Sequence, residues 1–230
     1  MEHENEEERW LWMSFAPVHR LIIALLPGPR TQEMADILIE ETDRLIARPL
    51  PLFVSDGLKM YIQALLRRYH YTREFARTGK PGRPRKPLQL PLQELRYAQV
   101  VKKRSNGKVV RVEKRIIFGS PDDIPRSEIS TSHIERQNLT LRQENHRLER
   151  KTLGFSKDDE WLGYQCTFYR THCNFVRTND ALKIPVEPPQ GADLRRKYQK
   201  RTPLMSLGIT DHVWSLDELL RYPYHKTSTN

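Results

Sequence analysis

Cysteine is scarce in this chain. Two occur among its 230 residues, Cys166 and Cys173, in a segment of helical character with no Cys or His partner at metal-ligand spacing. That excludes a disulfide scaffold and a zinc module, and it suits a reducing compartment such as the cytoplasm. Long apolar runs are missing too. The longest, "LIIALL", is far too short to span a bilayer, so no membrane partner is expected. The opening "MEHENEEE" is acidic where a signal peptide is basic and then apolar. No internal repeat is present.

Acidic residues are also missing, but from one stretch only. Residues 1–57 carry 5 basic and 11 acidic side chains, residues 58–118 carry 17 and 3, and residues 119–230 carry 17 and 15. The net charge of +10 therefore originates in the middle segment. Clustered Lys and Arg displace condensed counterions from phosphates, so such clustering suits a polyanion as partner, most simply nucleic acid, and equally a merely solvated surface.

What is present reads as alternating strands and helices, the pattern of an α/β sheet protein. "RWLWMSFAP" and "HRLIIALLPGPR" read as strands joined by a turn at Pro17. "TQEMADILIEETDRLIAR" reads as a helix capped by Thr31, "PLFVSDG" as a short strand, and "LKMYIQALLRRY" as a second helix. From Arg77 to Leu92, "RTGKPGRPRKPLQLPL" forbids a helix and favours an extended, exposed segment. "AQVVKKRSNGKVVRVEKRIIFG" reads as a hairpin, with Asn106-Gly107 supplying the positive φ of a type I′ turn. One polar helix is predicted over Ile129–Lys157. A further helix with an aromatic-rich core face is predicted in "DDEWLGYQCTFYRTHCNFVRTNDALK", and then a mostly irregular tail with a short helix capped by Ser215. The chain divides accordingly into an acidic start (1–8), a first core part (9–76), a basic insertion (77–128), a helical second core part (129–183) and the tail (184–230).

Two carboxylates carry the chemistry. Glu135 stands near the start of "ISTSHIERQNLTLRQENHRLERKTLGFSK", and Ser132-x-x-Glu135 can be a capping box. Helical geometry also sets Glu135, Asn138, Arg142 and His146 on one face, with Ile134, Leu141 and Leu148 as a separate apolar stripe. A carboxylate at the edge of a core beside an arginine suits a metal ligand next to a phosphate. Asp56, in "SDG", is either a turn residue or a strand-end carboxylate reaching a shared metal site. A strand-end Asp with a helix Glu is a common way of assembling two-metal phosphodiester chemistry.

These stretches, "ISTSHIERQNLTLRQENHRLERKTLGFSK" above all, with "FVSDG", "AQVVKK" and "TPLMSLGITDHVWSLDELL", closely resemble the insertion-sequence-one-like DDE transposases of prokaryotes. The resemblance runs from Glu4 to about Leu220. It implies an RNase H-like mixed sheet with flanking helices and a basic hairpin insertion, as in retroviral integrases. It also implies Mg²⁺ or Mn²⁺ held by Asp56 and Glu135 as catalytic residues, and cleavage and strand transfer at transposon ends. Arg142 matches a position that contacts DNA near the scissile phosphate, with Asn138 beside it, and the intact family implies homo-oligomers. Members carry a first catalytic Asp on the central strand, ahead of a linker that "EHENEEERW" resembles, and no residue here matches it. The expectation is therefore a chain lacking that first strand, its two-metal site incomplete, either an inactive transposase or a DNA-binding remnant that competes with the full enzyme. "KPGRPRKP" resembles the core of an AT-hook, or is a charged linker. Together with the hairpin it nominates Arg83, Arg85, Lys102, Lys103 and Lys114 as DNA-binding residues.

Overall fold

The computed structural model describes residues 10–75, 85–149, 154, 156, 158–186 and 198–222. The chain runs β1 (Trp10–Ala16), β2 (Leu21–Gly28), α1 (Gln32–Asp43), β3 (Leu52–Asp56), α2 (Met60–Arg68), β4 (His70–Arg73) and β5 (Leu88–Pro91). It continues through β6 (Arg96–Ser105), β7 (Lys108–Phe118), α3 (Ser132–Glu144), α4 (Asp159–Phe175), β8 (Asn179–Pro185), β9 (Tyr198–Arg201), α5 (Pro203–Ser206) and α6 (Leu216–Arg221). This is a mixed α/β protein with small sheets. It forms two compact units, one of Met1–Trp12 and Gly28–Phe155, the other of Met13–Pro27 and Ser156–Asn230.

The first unit is built on a three-stranded sheet in the order β3-β6-β7, with β3 parallel to β6 and β7 antiparallel. Alternation along the strands divides its side chains. One face carries Phe53, Tyr97 and Phe118, with Tyr97 packed on Phe118 at 6.1 Å and Phe53 on Tyr69 at 5.6 Å between ring centroids. The other carries Leu52, Val54, Ala98, Val100 and Ile116, and Ile124 and Ile129 from the segment after β7 seal it. Each fully buried isoleucine contributes roughly 1.5–3 kcal/mol relative to exposure. The β6–β7 turn is the one expected: Asn106 and Gly107 have φ of 48° and 76°, as type I′ geometry requires.

Helix α1 starts where expected, with Thr31 Oγ1 accepting from Met34 N at 3.3 Å. Its buried residues Ala35, Leu38, Ile39 and Thr42 make one stripe. At its end Asp43, its side chain only 12% exposed, gathers a polar cluster. It accepts from Arg68 Nε at 2.8 Å, Arg68 Nη2 at 2.5 Å and the Tyr69 hydroxyl at 2.8 Å.

The second unit packs part of the β1–β2 hairpin with α4 and the last elements. Asn174, buried on α4, treats Ile22 as a neighbouring strand would: its Oδ1 accepts from Ile22 N at 3.1 Å and its Nδ2 donates to Ile22 O at 2.9 Å. Fully buried Thr202 caps α5, accepting from Met205 N at 3.2 Å. Trp214 packs on Phe175 with centroids 4.5 Å apart, and Ser215 caps α6 as expected, accepting from Glu218 N at 3.1 Å.

Four expectations need correction. The helix predicted over Ile129–Lys157 ends at Glu144, because Asn145 turns to extended backbone and its Oδ1 accepts from Arg147 N to cap a short 3-10 turn, His146–Leu148. Three of the aromatic side chains of α4 lie off its core face: Trp161, Tyr164 and Phe168 are exposed, and Leu162, Cys166, Cys173 and Asn174 are buried. The two thiols are free, and burial pushes that of Cys166 up to about 11. That same helix, predicted through Lys183, ends at Phe175, and Asn179–Pro185 is strand β8, whereas the proline-rich stretch is extended as expected where Leu88–Pro91 pairs antiparallel with β4 as β5. The tail is more ordered than expected, since β9 pairs with β8.

Asp43 sets an acid limit on the first unit. Burial raises its pKa, but the hydrogen bonds from Arg68 and Tyr69 and the charges of Arg68 and Arg48 outweigh that and leave it below the ordinary 3.8. A depressed folded-state value means a stabilisation fully present above about 3.8 and lost as pH falls through the folded value. Asp43→Asn is therefore expected to cost about 1–3 kcal/mol at neutral pH. The gap to the parent chain should close in acid, as read by denaturant melts across the acid range; a gap of constant size would refute the assignment.

Candidate functional site

Five rungs of parallel pairing set Leu52 opposite Arg96 and Asp56 opposite Val100. Lys102, two residues past Val100, faces the same side of the sheet as Asp56. That face is apolar along Leu52, Val54, Ala98 and Val100 and is charged at the carboxyl end of β3, the edge where open α/β sheets commonly bind ligands. A cleft of about 520 Å³ opens there, bordered by Arg30, Asp56, Lys59, Lys102 and Glu135 among others. Asp56 and Glu135, distant in sequence, thus share one cleft.

Both alternatives for Asp56 are met in part. Its Oδ1 accepts from Leu58 N at 3.1 Å, a turn contact, and the same carboxylate borders the cleft. Gly57 follows where space is short, since a Cβ there would lie 3.2 Å from Val101 Cγ2.

Glu135 does not close the capping box that Ser132-x-x-Glu135 allows. Thr131, the residue preceding α3, makes no side-chain cap on the backbone. Its hydroxyl donates instead to Glu135 Oε1 at 2.6 Å. Lys102 Nζ lies 2.5 Å from both carboxylate oxygens. Burial pushes the Glu135 carboxyl up, but the hydrogen bonds from Lys102 and Thr131 and the charges of Lys102 and Arg104 hold it below the ordinary carboxylate value. Glu135 is a carboxylate clasped by an ammonium group.

The other nominated residues lie elsewhere. Asn138 and Arg142 are half-buried on α3 and do not border the cleft. Lys103 pairs with Glu113 at 2.8 Å, and Lys114 Nζ donates to the Arg126 carbonyl at 2.7 Å. Arg85 is exposed, its guanidinium 5.7 Å from the Phe75 ring centre. Arg83 and the acidic residues 1–8 lie outside the described residues. Sequence reasoning missed Arg30 and Lys59, although Lys59 closes "SDGLK" directly beside the strand-end Asp. It also missed that Lys102 is the partner of Glu135, a contact between segments that no local spacing reveals.

Glu113 is the single acid of the hairpin, and it draws Lys103, Arg111 and Arg115 together at 2.8, 3.3 and 2.5 Å. Hydrogen bonds from Lys103 and Arg115 lower its pKa to about 2.

The donor set bears on the implied metal pair. Two bound ions need several carboxylates to flank and bridge them. Among the described residues no three His, Cys, Asp or Glu side chains cluster suitably, and Lys102 faces both oxygens of Glu135. Asp56 and Glu135 do not by themselves make a two-metal site.

Residues 121–169 match the family model described as IS1 transposase. The match includes Glu135 and α3 and covers well under half of the chain. No curated protein and no solved structure matches.

The clasp has a direct readout. Replacing Lys102 by Met removes the main opposing influence on a partly buried carboxylate, so the Glu135 pKa is expected to rise. Carboxyl-carbon NMR titration of the parent and the variant measures it; an unchanged Glu135 value would mean that the pairing does not persist in solution.

Proposed function

We propose that the chain is a DDE-type transposase polypeptide acting on double-stranded DNA, with Asp56 and Glu135 as its acidic pair on an RNase H-like framework. The observation that carries this reading is the meeting of Asp56 and Glu135 in one cleft at the carboxyl edge of a parallel strand pair. The IS1 transposase pattern around Glu135 supports it independently. A strand-end aspartate and a helix-borne glutamate, supplied by separate segments, are the arrangement that metal-dependent phosphodiester chemistry uses. The ion this reading implies is Mg²⁺ or Mn²⁺, toward which Asp56 and Glu135 would supply only part of the ligand set.

The residues of this chain add the means to hold DNA. Arg30, Lys59 and Lys102 give the cleft a cationic rim that outnumbers its two carboxylates. The hairpin contributes Lys103, Arg104, Lys108, Arg111 and Arg115. Arg142 and Asn138 on α3, and Arg83 and Arg85 in the basic stretch, complete the set of DNA-contacting residues proposed here.

Lys102 on Glu135 favours a second reading, a DNA-binding chain that does not cut and competes with an active transposase for DNA. A cation already sits where a metal would have to enter.

The two readings separate in one assay. Supercoiled plasmid incubated with Mg²⁺ or Mn²⁺ and the purified chain is expected to be bound and not nicked above the level of Glu135→Ala. Nicking that disappears in Glu135→Ala would establish the enzyme and sink the competitor. Failure to bind DNA at all would remove both.

A further inference from the structure

Beyond Val101 and Glu113 the β6–β7 hairpin leaves the sheet core, and Lys102 to Val112 are exposed. The register continues regardless: Lys102 opposes Val112, Lys103 opposes Arg111, Arg104 opposes Val109 and Ser105 opposes Lys108, with an irregularity between Lys103 and Arg104 that leaves Val110 unmatched. The result is a free two-stranded arm. Its four rungs project it by roughly 13 Å at ~3.4 Å per residue, and its strands lie about 4.8 Å apart.

The arm has two unlike faces. Lys103, Arg111 and Arg115 gather round Glu113 on one, with Lys108 nearer the tip. Val109 and Val112 share the other with Lys102 and Arg104. Val109, Val110 and Val112 are 46%, 64% and 51% exposed, an apolar surface held in water at the end of a strongly cationic arm. A hairpin serving only as a solvated connection has no use for that combination. A major groove about 12 Å wide and 8.5 Å deep admits a two-stranded ribbon, offers phosphates at both walls, and presents thymine methyl groups at its floor.

We propose that the β6–β7 arm, from Lys103 to Arg111, is a β-ribbon that enters the major groove of duplex DNA. Its arginines and lysines meet phosphates and base edges, and Val109 and Val110 meet the groove floor. The inference rests on the DNA-binding reading above and adds where the duplex sits and which groove is used. Glu113 fits this role, since it holds three cations in fixed positions on an exposed ribbon whose long side chains would otherwise be disordered.

The test uses the full chain and the Arg104→Ala, Lys108→Ala, Arg111→Ala triple variant, whose sites are exposed; matching thermal melts confirm that the variant is folded. Binding is measured against salt for three targets: plain duplex, a duplex whose cytosines carry glucosylated hydroxymethyl groups that fill the major groove, and plain duplex with netropsin filling the minor groove. The triple variant is expected to lose about 0.9 of log-log salt slope per phosphate contact removed. The parent chain should lose about tenfold or more in affinity on the glucosylated duplex, on the scale of one good base contact, and little with netropsin. If the parent binds plain duplex but the variant matches it, or if netropsin rather than glucosylation blocks binding, the ribbon proposal falls while the DNA-binding reading stands. If the parent binds no duplex, both fall.

Discussion

The parallel pairing of β3 with β6 is the constraint on which the first unit depends. Its register puts Asp56 level with Val100 and leaves Lys102 two residues beyond on the same face, so that the charged groups of both strands gather at one edge of the apolar face. Had β6 slipped by a single residue, every side chain would have changed faces. Val100 would leave the core that Ile124 and Ile129 seal, and Lys102 would point away from Glu135. The core thus fixes the site: the same hydrophobic alternation that drives the sheet together decides which charges meet in the cleft.

Charge then divides labour along one hairpin. At its base Lys102 is paired with Glu135, and Lys114 donates to a backbone carbonyl. Lys103, Arg111 and Arg115 gather on Glu113, and further out Arg104 donates to the Gly107 carbonyl at 3.5 Å. Exposed ion pairs of this kind stabilise a fold by little, about 0–1 kcal/mol each. Their number on the arm is therefore better understood through what they can bind than through what they hold together.

Much of the fold was legible because local chemistry dictated it. Thr31 and Ser215 cap helices with their side chains, and Asn106-Gly107 turns the hairpin, as those residue types require. Other features were settled by distant contacts. The polar helix stops at Glu144 because Asn145 finds an alternative hydrogen bond to the backbone, an option that helical periodicity does not register. On α4 the aromatics looked like the core side, but the stripe running Leu162, Cys166, Cys173 is the one buried, and smaller side chains allow close packing that rings would prevent. For the site, the sequence singled out Asp56 and Glu135, and the fold places them in one cleft. The ammonium on Glu135 was not legible, since Lys102 lies on a strand whose position over α3 only the folded sheet defines.

The clamp of Asn174 on Ile22 has a consequence for synthesis. The β1–β2 hairpin is made early, yet the side chain that satisfies both polar backbone groups of Ile22 is encoded about 150 residues later. At ~5–20 residues per second, translation separates the two by roughly eight to thirty seconds. For that interval a strand rich in Leu and Ile stands with a bare edge outside the ribosome. Whatever escorts the nascent chain must cover that edge until Asn174 arrives.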